Sequence, residues 1–441
     1  MVSRRAYKRV KVNSLDIKEL VTVAKTEKSA VLGLDVAKAE IVACLRWQSE
    51  DFERPWSVSN PCGIDELVKL LEQLISHGLE LKVALESTGT YGDAVRLKLT
   101  NAKIPVFRVS GKAVRDYREI FDGVPSQHDG KDAAMIAELC ALSKGVLWPY
   151  VQPPEFIAEV AFHVRRMDAF QSELVQWYGR LESQLARFWP EIGQLVKLNR
   201  KTVLKLLIQY GSPSAIAKSD NALEQVLAWS RGQLSVAKAE SILQSARTTA
   251  GIPMTYQDQQ WLQETSQRLL DAKTRAKACE IKLRKELEKD VFWSKYVDAV
   301  SAGTLSVILS TVGDPRAYSS AGALLKGCGL NLKEISSGKR IGEKSISKRG
   351  PSMLRRWLFF WAMRAIQKEE LREWYFRFHN VNHGHRDRPS DHRKMKGLVC
   401  MMRKLMRSLW SSMKQGEAFD YTKVVEKKAK TKRRRRTRAR Q

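Results

Sequence analysis

The 441-residue sequence predicts an α/β domain followed by a mainly helical remainder, with two long helices in between. Three observations carry that prediction. Between residues 29 and 145, short β-type runs give way to an alternation of strand and helix patterns. From about 155 to 189, and again from about 256 to 290, apolar residues recur at helical spacing over many turns. After Asp290 most apolar segments keep a helical period.

Residues 1–28 are a basic N-terminal segment. "AVLGLDVA" (30–37), "EIVACLRW" (40–47) and "RPWSVSN" (54–60) then read as three strands. Their connections are too short for crossover helices, so the strands form an antiparallel meander. Next come a helix over 64–77, a strand over 81–87, a helix over 91–102, a strand over 104–110, and helices over 111–121 and 131–143. This is the element order of an RNase H-like domain. A dinucleotide fold would begin with a glycine-rich strand-to-helix turn, and no G-x-G-x-x-G occurs. The proline-rich "WPYVQPPEF" (148–156) closes the domain near residue 150 as a stiff linker.

Over 151–292 a helical insertion is expected. Its first long helix carries Val160, Val164, Met167, Phe170, Leu174, Trp177, Leu181, Leu185 and Phe188; its second spaces Leu262, Leu269, Ala276 and Leu283 seven apart. This predicts a coiled-coil hairpin or an oligomerisation pair. Short helices at "ALEQVLAWS" and "AKAESILQSA" lie between them, with no assigned task. Residues 293–422 form a compact, mainly helical domain with helices at 352–366 and 394–413. Residues 423–441 are a basic tail without apolar period, expected to be disordered until it meets a phosphate backbone.

Lys and Arg outnumber Asp and Glu 77 to 48, a formal charge of +29, which points to a polyanionic partner, nucleic acid first. Apolar runs such as "WLFFWAM" fall far short of the roughly 20 residues that span a bilayer, so no membrane segment is expected. The basic start lacks the apolar stretch of a secretory signal, and a cytoplasmic protein is expected. Six cysteines scattered singly read as reduced thiols.

Asp35 falls toward the end of the first of these strands and Glu86 at the end of the fourth. In the RNase H order these strands are neighbours, so both carboxylates reach one edge. Asp129 and Asp132 share the first turn of a helix. Four carboxylates without cysteine or histidine are the hard oxygen set suited to Mg²⁺, which in pairs stabilises the entering and leaving oxygens of a phosphoryl transfer. Singly, Asp129 reads more simply as a helix N-cap and Asp35 as a turn residue. Together, in so basic a chain, they favour a metal set.

"EISSGKRIGEKSISKRGP" (334–351) places Ser336 and Ser337 beside a glycine with no histidine nearby. By itself it reads as a polar turn or anion nest. It is no Walker loop, since Lys333 stands where the first glycine belongs and Arg340 where Ser or Thr should be. Lys339, Arg340, Lys344, Lys348 and Arg349 offer charge to a phosphate backbone, and Arg355 and Arg356 lie on the exposed face of the next helix. His379, His383, His385 and His392, with Asp387 and Asp391, match no standard zinc spacing and read as a surface loop.

"GLDVAK" (33–38), "ESTGTYG" (86–92), "DGKDAAMIAELC" (129–140) and "SSGKRIGEKSISKRGPSMLRR" (336–356) resemble, in order, the signatures of the DEDD/serine transposases. These are the bridge-RNA-guided recombinases of the insertion-sequence family numbered one hundred and ten. The resemblance implies a RuvC-like domain whose Asp35, Glu86, Asp129 and Asp132 hold Mg²⁺, a coiled-coil middle, and a C-terminal domain that donates a catalytic serine. The family's serine precedes a glycine, which matches Ser337, with Ser336 as runner-up. It further implies double-stranded DNA (element ends and target) and a noncoding guide RNA as partners, assembly as a dimer or tetramer, and nucleoid association during action. The carboxylate set and the serine would meet across the DNA strand, from one subunit or two. "VSAGTLS" (300–306) departs from the family's glycine-rich hairpin by keeping only Gly303, which puts a hairpin contact to DNA in doubt. The rival readings are a RuvC-like metal-dependent junction nuclease without serine chemistry, and a nucleic-acid-binding protein whose acids are structural.

Overall fold

The computed structural model describes residues 9–425 except 88, 338, 339, 348 and 382–390; the side chains of 13, 335–337, 340–343, 377–381 and 391–393 also lie outside the described set. The chain divides into two units, 1–152 and 153–441.

The first unit runs β1 (Val10–Lys11), α1 (Ile17–Thr26), β2 (Ser29–Val36), β3 (Glu40–Trp47), β4 (Trp56–Ser59), α2 (Ile64–Ser76), β5 (Glu80–Glu86), α3 (Asp93–Asn101), β6 (Val106–Val109), α4 (Gly111–Asp122), α5 (Asp129–Ala141) and β7 (Val146–Leu147). One sheet holds all seven strands in the order β1-β4-β3-β2-β5-β6-β7. β2, β3 and β4 form the antiparallel meander, and β5 and β6 run parallel to β2 on its other side.

Alternation along β2 decides what each face packs against. Leu32, Leu34 and Val36 enter a core with Leu67, Leu71 and Leu74 of α2 and Leu20 and Ala24 of α1. Val31, with Ala84 of β5 and Val109 of β6, faces Met135, Ile136 and Leu139 of α5 on the opposite side. The "basic segment" of the sequence reading thus contributes to this unit: Asp16 caps α1 by accepting from the amides of Lys18 and Glu19, and β1 adds a parallel edge strand to β4.

α5 lies unusually close to the sheet. A side chain at Gly33 would place its Cβ 2.0 Å from the Ala133 carbonyl oxygen and 2.6 Å from the Ala137 amide nitrogen. Glycine on the strand, facing alanines on the helix, lets backbone approach backbone. Arg46 of β3 pairs with Glu138 of α5 within the same packed interface.

The second unit begins with α6 (Glu155–Phe188), α7 (Ile192–Leu195), α8 (Lys201–Tyr210), α9 (Pro213–Lys218), α10 (Ala222–Ser230), α11 (Val236–Arg247) and α12 (Tyr256–Glu288). It continues with α13 (Val291–Val300), α14 (Ala302–Val312), α15 (Ala321–Gly327), β8 (Leu332–Ser337), β9 (Arg340–Ile346), α16 (Ser352–Ala365), α17 (Glu369–Val381) and α18 (Asp391–Gln415). α6 and α12 pack antiparallel. Gln184 donates to Thr265 at one end (3.0 Å), while Val160, Val164 and Met167 share a core with Cys279, Leu283 and Leu287 at the other.

That same core takes in Trp293, Tyr296, Leu305, Trp361, Leu405 and Leu409, so the helix pair and the C-terminal helices are one packed body rather than two separately cored domains. Residues 189–255 build a satellite core with Trp189, Ile192, Leu204, Leu207, Ile216 and Ile242. The segment "VSAGTLS" forms a helix–turn–helix despite its missing glycines. Ser301, at φ +79°, makes the turn between α13 and α14, and Arg364 donates to the Val300 carbonyl and to the hydroxyls of Ser301 and Thr304. No described helix is long and apolar enough to cross a membrane.

Candidate functional site

Asp35 lies inside β2, paired in register with Val42, and is not a turn residue. Counting by twos from Val31 through Gly33 puts its side chain on the α5 face. Glu86 ends β5 and has the same parity as Ala84. Because Leu34 is in register with Leu85 across the parallel pair, both carboxylates emerge at the same edge, at the C-terminal ends of neighbouring strands. Gly111 at the start of α4 makes room for Glu86; a Cβ there would lie 1.9 Å from a Glu86 carboxylate oxygen.

Asp129 is the first residue of α5 and His128 holds the cap position, so the N-cap reading of Asp129 is corrected. Asp129 and Asp132 occupy the first turn, where the helix dipole favours negative charge. The four acids feel one another. Burial pushes the Asp35 carboxyl up to about 6, with Asp132, Asp129 and Glu86 adding to the rise. Glu86 is raised by burial and then by Asp132, against the lowering pull of Arg115 and Arg118.

Two of the acids are held by arginines. Arg118 of α4 donates to both oxygens of Asp132 (3.1 and 3.4 Å), with side chains only 19% and 13% exposed. Arg9, just ahead of β1, reaches Asp129 at 3.3 Å and also pairs with Glu40. Among the described residues no three His, Cys, Asp or Glu side chains stand close enough to hold a metal ion as they are. Lys131, inside the same motif, is fully buried and donates to Asp122 (2.6 Å) and to the Val124 carbonyl (2.5 Å), tying the loop after α4 to α5.

The sequence reading did not single out Arg9, Arg115, Arg118 or Lys131. A signal was available for two of them. Arg115 and Arg118 are three apart on α4, the amphipathic helix that follows the strand next to Glu86.

In the second unit the expected polar loop over 334–351 is largely a hairpin. β8 and β9 pair antiparallel from Leu332↔Ile346 to Ser337↔Arg340, with an irregularity between Ile335 and Ser337. Apolar residues at 332, 335, 341 and 346 are too sparse to give a period-two signal, whereas cross-strand backbone bonds need no apolar side chain. Ser337 is the last residue of β8; its side chain and those of Ser336 and Arg340, together with Lys339 and Lys348, lie outside the described residues.

Lys344 is exposed and faces Glu334 across the hairpin at 3.6 Å, and Arg349 is exposed. Arg355 is half-buried and donates to the Gly350 carbonyl (2.7 Å), and Arg356 pairs with Asp168 of α6. Those two guanidinium groups are therefore engaged within the protein and not free on the helix surface. The histidine-rich stretch with His379, His383, His385, His392, Asp387 and Asp391, and the tail beyond 425, also lie outside the described side chains.

Residues 32–190 match the family model for the DEDD transposase of IS110 elements, and residues 296–376 match one described as Transposase IS116/IS110/IS902 family. A Streptomyces coelicolor protein described as the IS110 insertion element's uncharacterized 43.6 kDa protein is 23% identical over 282 residues, spanning 63% of this chain and 69% of that one. Transposases of the DEDD class are typically metal-dependent, and their substrate is DNA. With both models in chain order, one over the carboxylate-bearing unit and the other over the hairpin region, the chain belongs to the IS110 transposase family and is a DNA transposase.

Proposed function

We propose that this transposase cuts and rejoins DNA through a serine–phosphodiester intermediate, with Ser337 as nucleophile, and that a noncoding RNA encoded beside its gene guides it. The observation that supports the reading is the placement of Asp35 and Glu86 at the C-terminal ends of neighbouring strands, near the first turn of α5 with Asp129 and Asp132, where burial and then the charges of the other three acids raise the Asp35 carboxyl to about 6. An all-oxygen set with surplus negative charge fits a hard divalent cation such as Mg²⁺. Asp35, Glu86, Asp129 and Asp132 would hold it. When bound, Mg²⁺ supplies charge stabilisation to the phosphoryl oxygens.

The chain's own residues do the rest. The Ser337 hydroxyl gives up its proton and forms the Oγ–P bond while the P–O bond to deoxyribose breaks and the departing oxygen is protonated. A hydroxyl of the receiving strand then displaces Ser337, so the phosphodiester is kept and no bond energy goes to water. Lys339, Arg340, Lys344, Lys348 and Arg349 follow the serine within twelve residues and would seat the phosphate backbone beside it. Arg355 and Arg356 would join them only by leaving their present partners. The long pair α6 and α12 would serve as the coiled-coil oligomerisation element of a dimer or tetramer. The protein would act in the cytoplasm, on nucleoid DNA.

The test is denaturing gel analysis of labelled element-end DNA incubated with protein, Mg²⁺ and RNA transcribed from the flanking noncoding region. A covalent adduct is expected for the native protein, and none for Ser337→Ala or Asp35→Ala. An adduct that survives in Ser337→Ala but is lost in Ser336→Ala moves the nucleophile by one residue. Cutting by the native protein with no adduct at all overturns serine chemistry in favour of a two-metal nuclease, and adduct formation without RNA overturns guidance.

A further inference from the structure

The satellite core of residues 189–255 carries a cavity of about 400 Å³ between the loop entering α8 and the start of α11. Lys197, Arg200 and Lys238 line it, with Gln233 and Ser235 as neutral polar neighbours and Val196 and Leu234 as buried floor. No carboxylate lines the cavity, and none of its three cations makes an ion pair among the described residues.

Along α12, Arg268, Lys277 and Arg284 are matched by acids one turn away, Glu264, Glu280 and Glu288, while Arg275, Lys282 and Lys285 are exposed cations that line no such cavity. Around the cavity the first turns of both α8 and α11 lack acidic residues. Lys238 is half-buried there without a counter-ion. Converging like charges cost energy unless an anion joins them. The wall is also held in place, since Lys273 of α12 donates to the Asn199 carbonyl at 2.6 Å and so pins the loop that carries Lys197 and Arg200.

The lining also limits what the anion can be. It has no aromatic ring to stack a base and no carboxylate to accept from a sugar or base edge. Such a site recognises phosphate and is indifferent to sequence. We propose that this cavity seats the phosphodiester backbone of a nucleic acid, making the helical insertion a sequence-independent docking arm of the transposase. The proposal does not depend on Ser337, on the carboxylate set or on guidance.

The test compares full-length protein with Lys197→Gln/Arg200→Gln/Lys238→Gln and with a control triple of equal charge loss, Lys218→Gln/Lys282→Gln/Lys285→Gln. Binding to a short polyuridylate strand and to a random-sequence DNA duplex is read by fluorescence anisotropy over a salt series, with no divalent cation and hence no chemistry. The cavity triple is expected to lose roughly tenfold in affinity for at least one probe, and its salt slope to fall by about 2 for the single strand or about 3 for the duplex. The control should move far less. Loss on polyuridylate alone assigns the arm to RNA, and loss on the duplex alone assigns it to DNA. Equal losses in both triples, or an unchanged slope in the cavity triple, overturn the proposal. Should Lys238→Gln unsettle the fold in a thermal melt, the exposed pair Lys197→Gln/Arg200→Gln carries the same comparison with a proportionally smaller slope change.

Discussion

Asp35, next to last in its strand, and Glu86, the last of its own, stand on adjacent parallel strands in the middle of a seven-stranded sheet, and Asp129 and Asp132 open a helix packed so closely on that sheet that only glycine fits at position 33. Ser337 stands instead in a hairpin of two strands that form a sheet of their own, with Leu332, Lys333 and Glu334 exposed. Two-stranded hairpins are at best marginally stable in water without further packing. The contrast teaches where this chain invests its packing. The acids proposed to hold a cation stand on a strand pair and a helix that the core fixes. The proposed nucleophile sits on a small element that a nucleic-acid backbone would support.

Three changes would break or sharpen that contrast. The largest effect is expected from Gly33→Val, which drives a side chain into the backbone of Ala133 and Ala137. Because helix backbone cannot yield as a side chain tip can, the cost should reach about 3 kcal/mol, the upper range of overpacking. Circular dichroism melts should show the first unit unfolding earlier while the second keeps its transition; a single unshifted melt would mean that α5 has room to move.

A middling effect is expected from Asp35→Asn. Its carboxyl titrates at about 6 in the folded protein, above the ordinary aspartate value, so folding favours the protonated form. The stability contributed by that proton is full below about pH 4 and is lost as pH rises through 6. The amide should therefore raise the melting temperature at pH 7 to 8 without divalent cations by a few degrees. The gain should vanish near pH 4. A gain that is flat with pH would show that repulsion among the acids is not its source.

The smallest effect is expected from Arg118→Ala. Arg118 neutralises Asp132 and lowers Glu86, so it competes with any cation for the same charge. Its removal should raise the Mg²⁺ affinity measured by calorimetry several-fold, in line with the roughly 1.5–3 kcal/mol of a charge-assisted bond less the packing lost. An affinity that falls would make Arg118 a support for Asp132 rather than a rival to Mg²⁺.

Much of the first unit could be read before folding, because β2, β3 and β5 carry dense apolar residues bounded by polar turns, and the three-residue spacing of Asp129 and Asp132 sets one helix face. The long helices α6 and α12 were equally plain from their periods. Other elements left fainter traces. β1 and β7 are two-residue edge strands, stabilised by neighbours distant in sequence. β8 and β9 are polar and held by backbone bonding. Arg9 became visible only through tertiary placement, and the spacing of Arg115 and Arg118 marks a basic helix face without saying that Asp132 lies within its reach. The joint core of α6, α12 and the C-terminal helices was likewise hidden, because a helix's period reveals that it has an apolar face and not which element covers it.

Lys131 sits between two of the proposed ligands, in "DGKD", yet it is sealed inside the protein and spends its charge on Asp122 and the Val124 carbonyl. A mutational scan scored on transposition alone would flag it beside Asp129 and Asp132 and invite its placement on the DNA. Its loss would act by loosening the corner from which those two acids project, so a phenotype indistinguishable from theirs would arise at a position no substrate can reach.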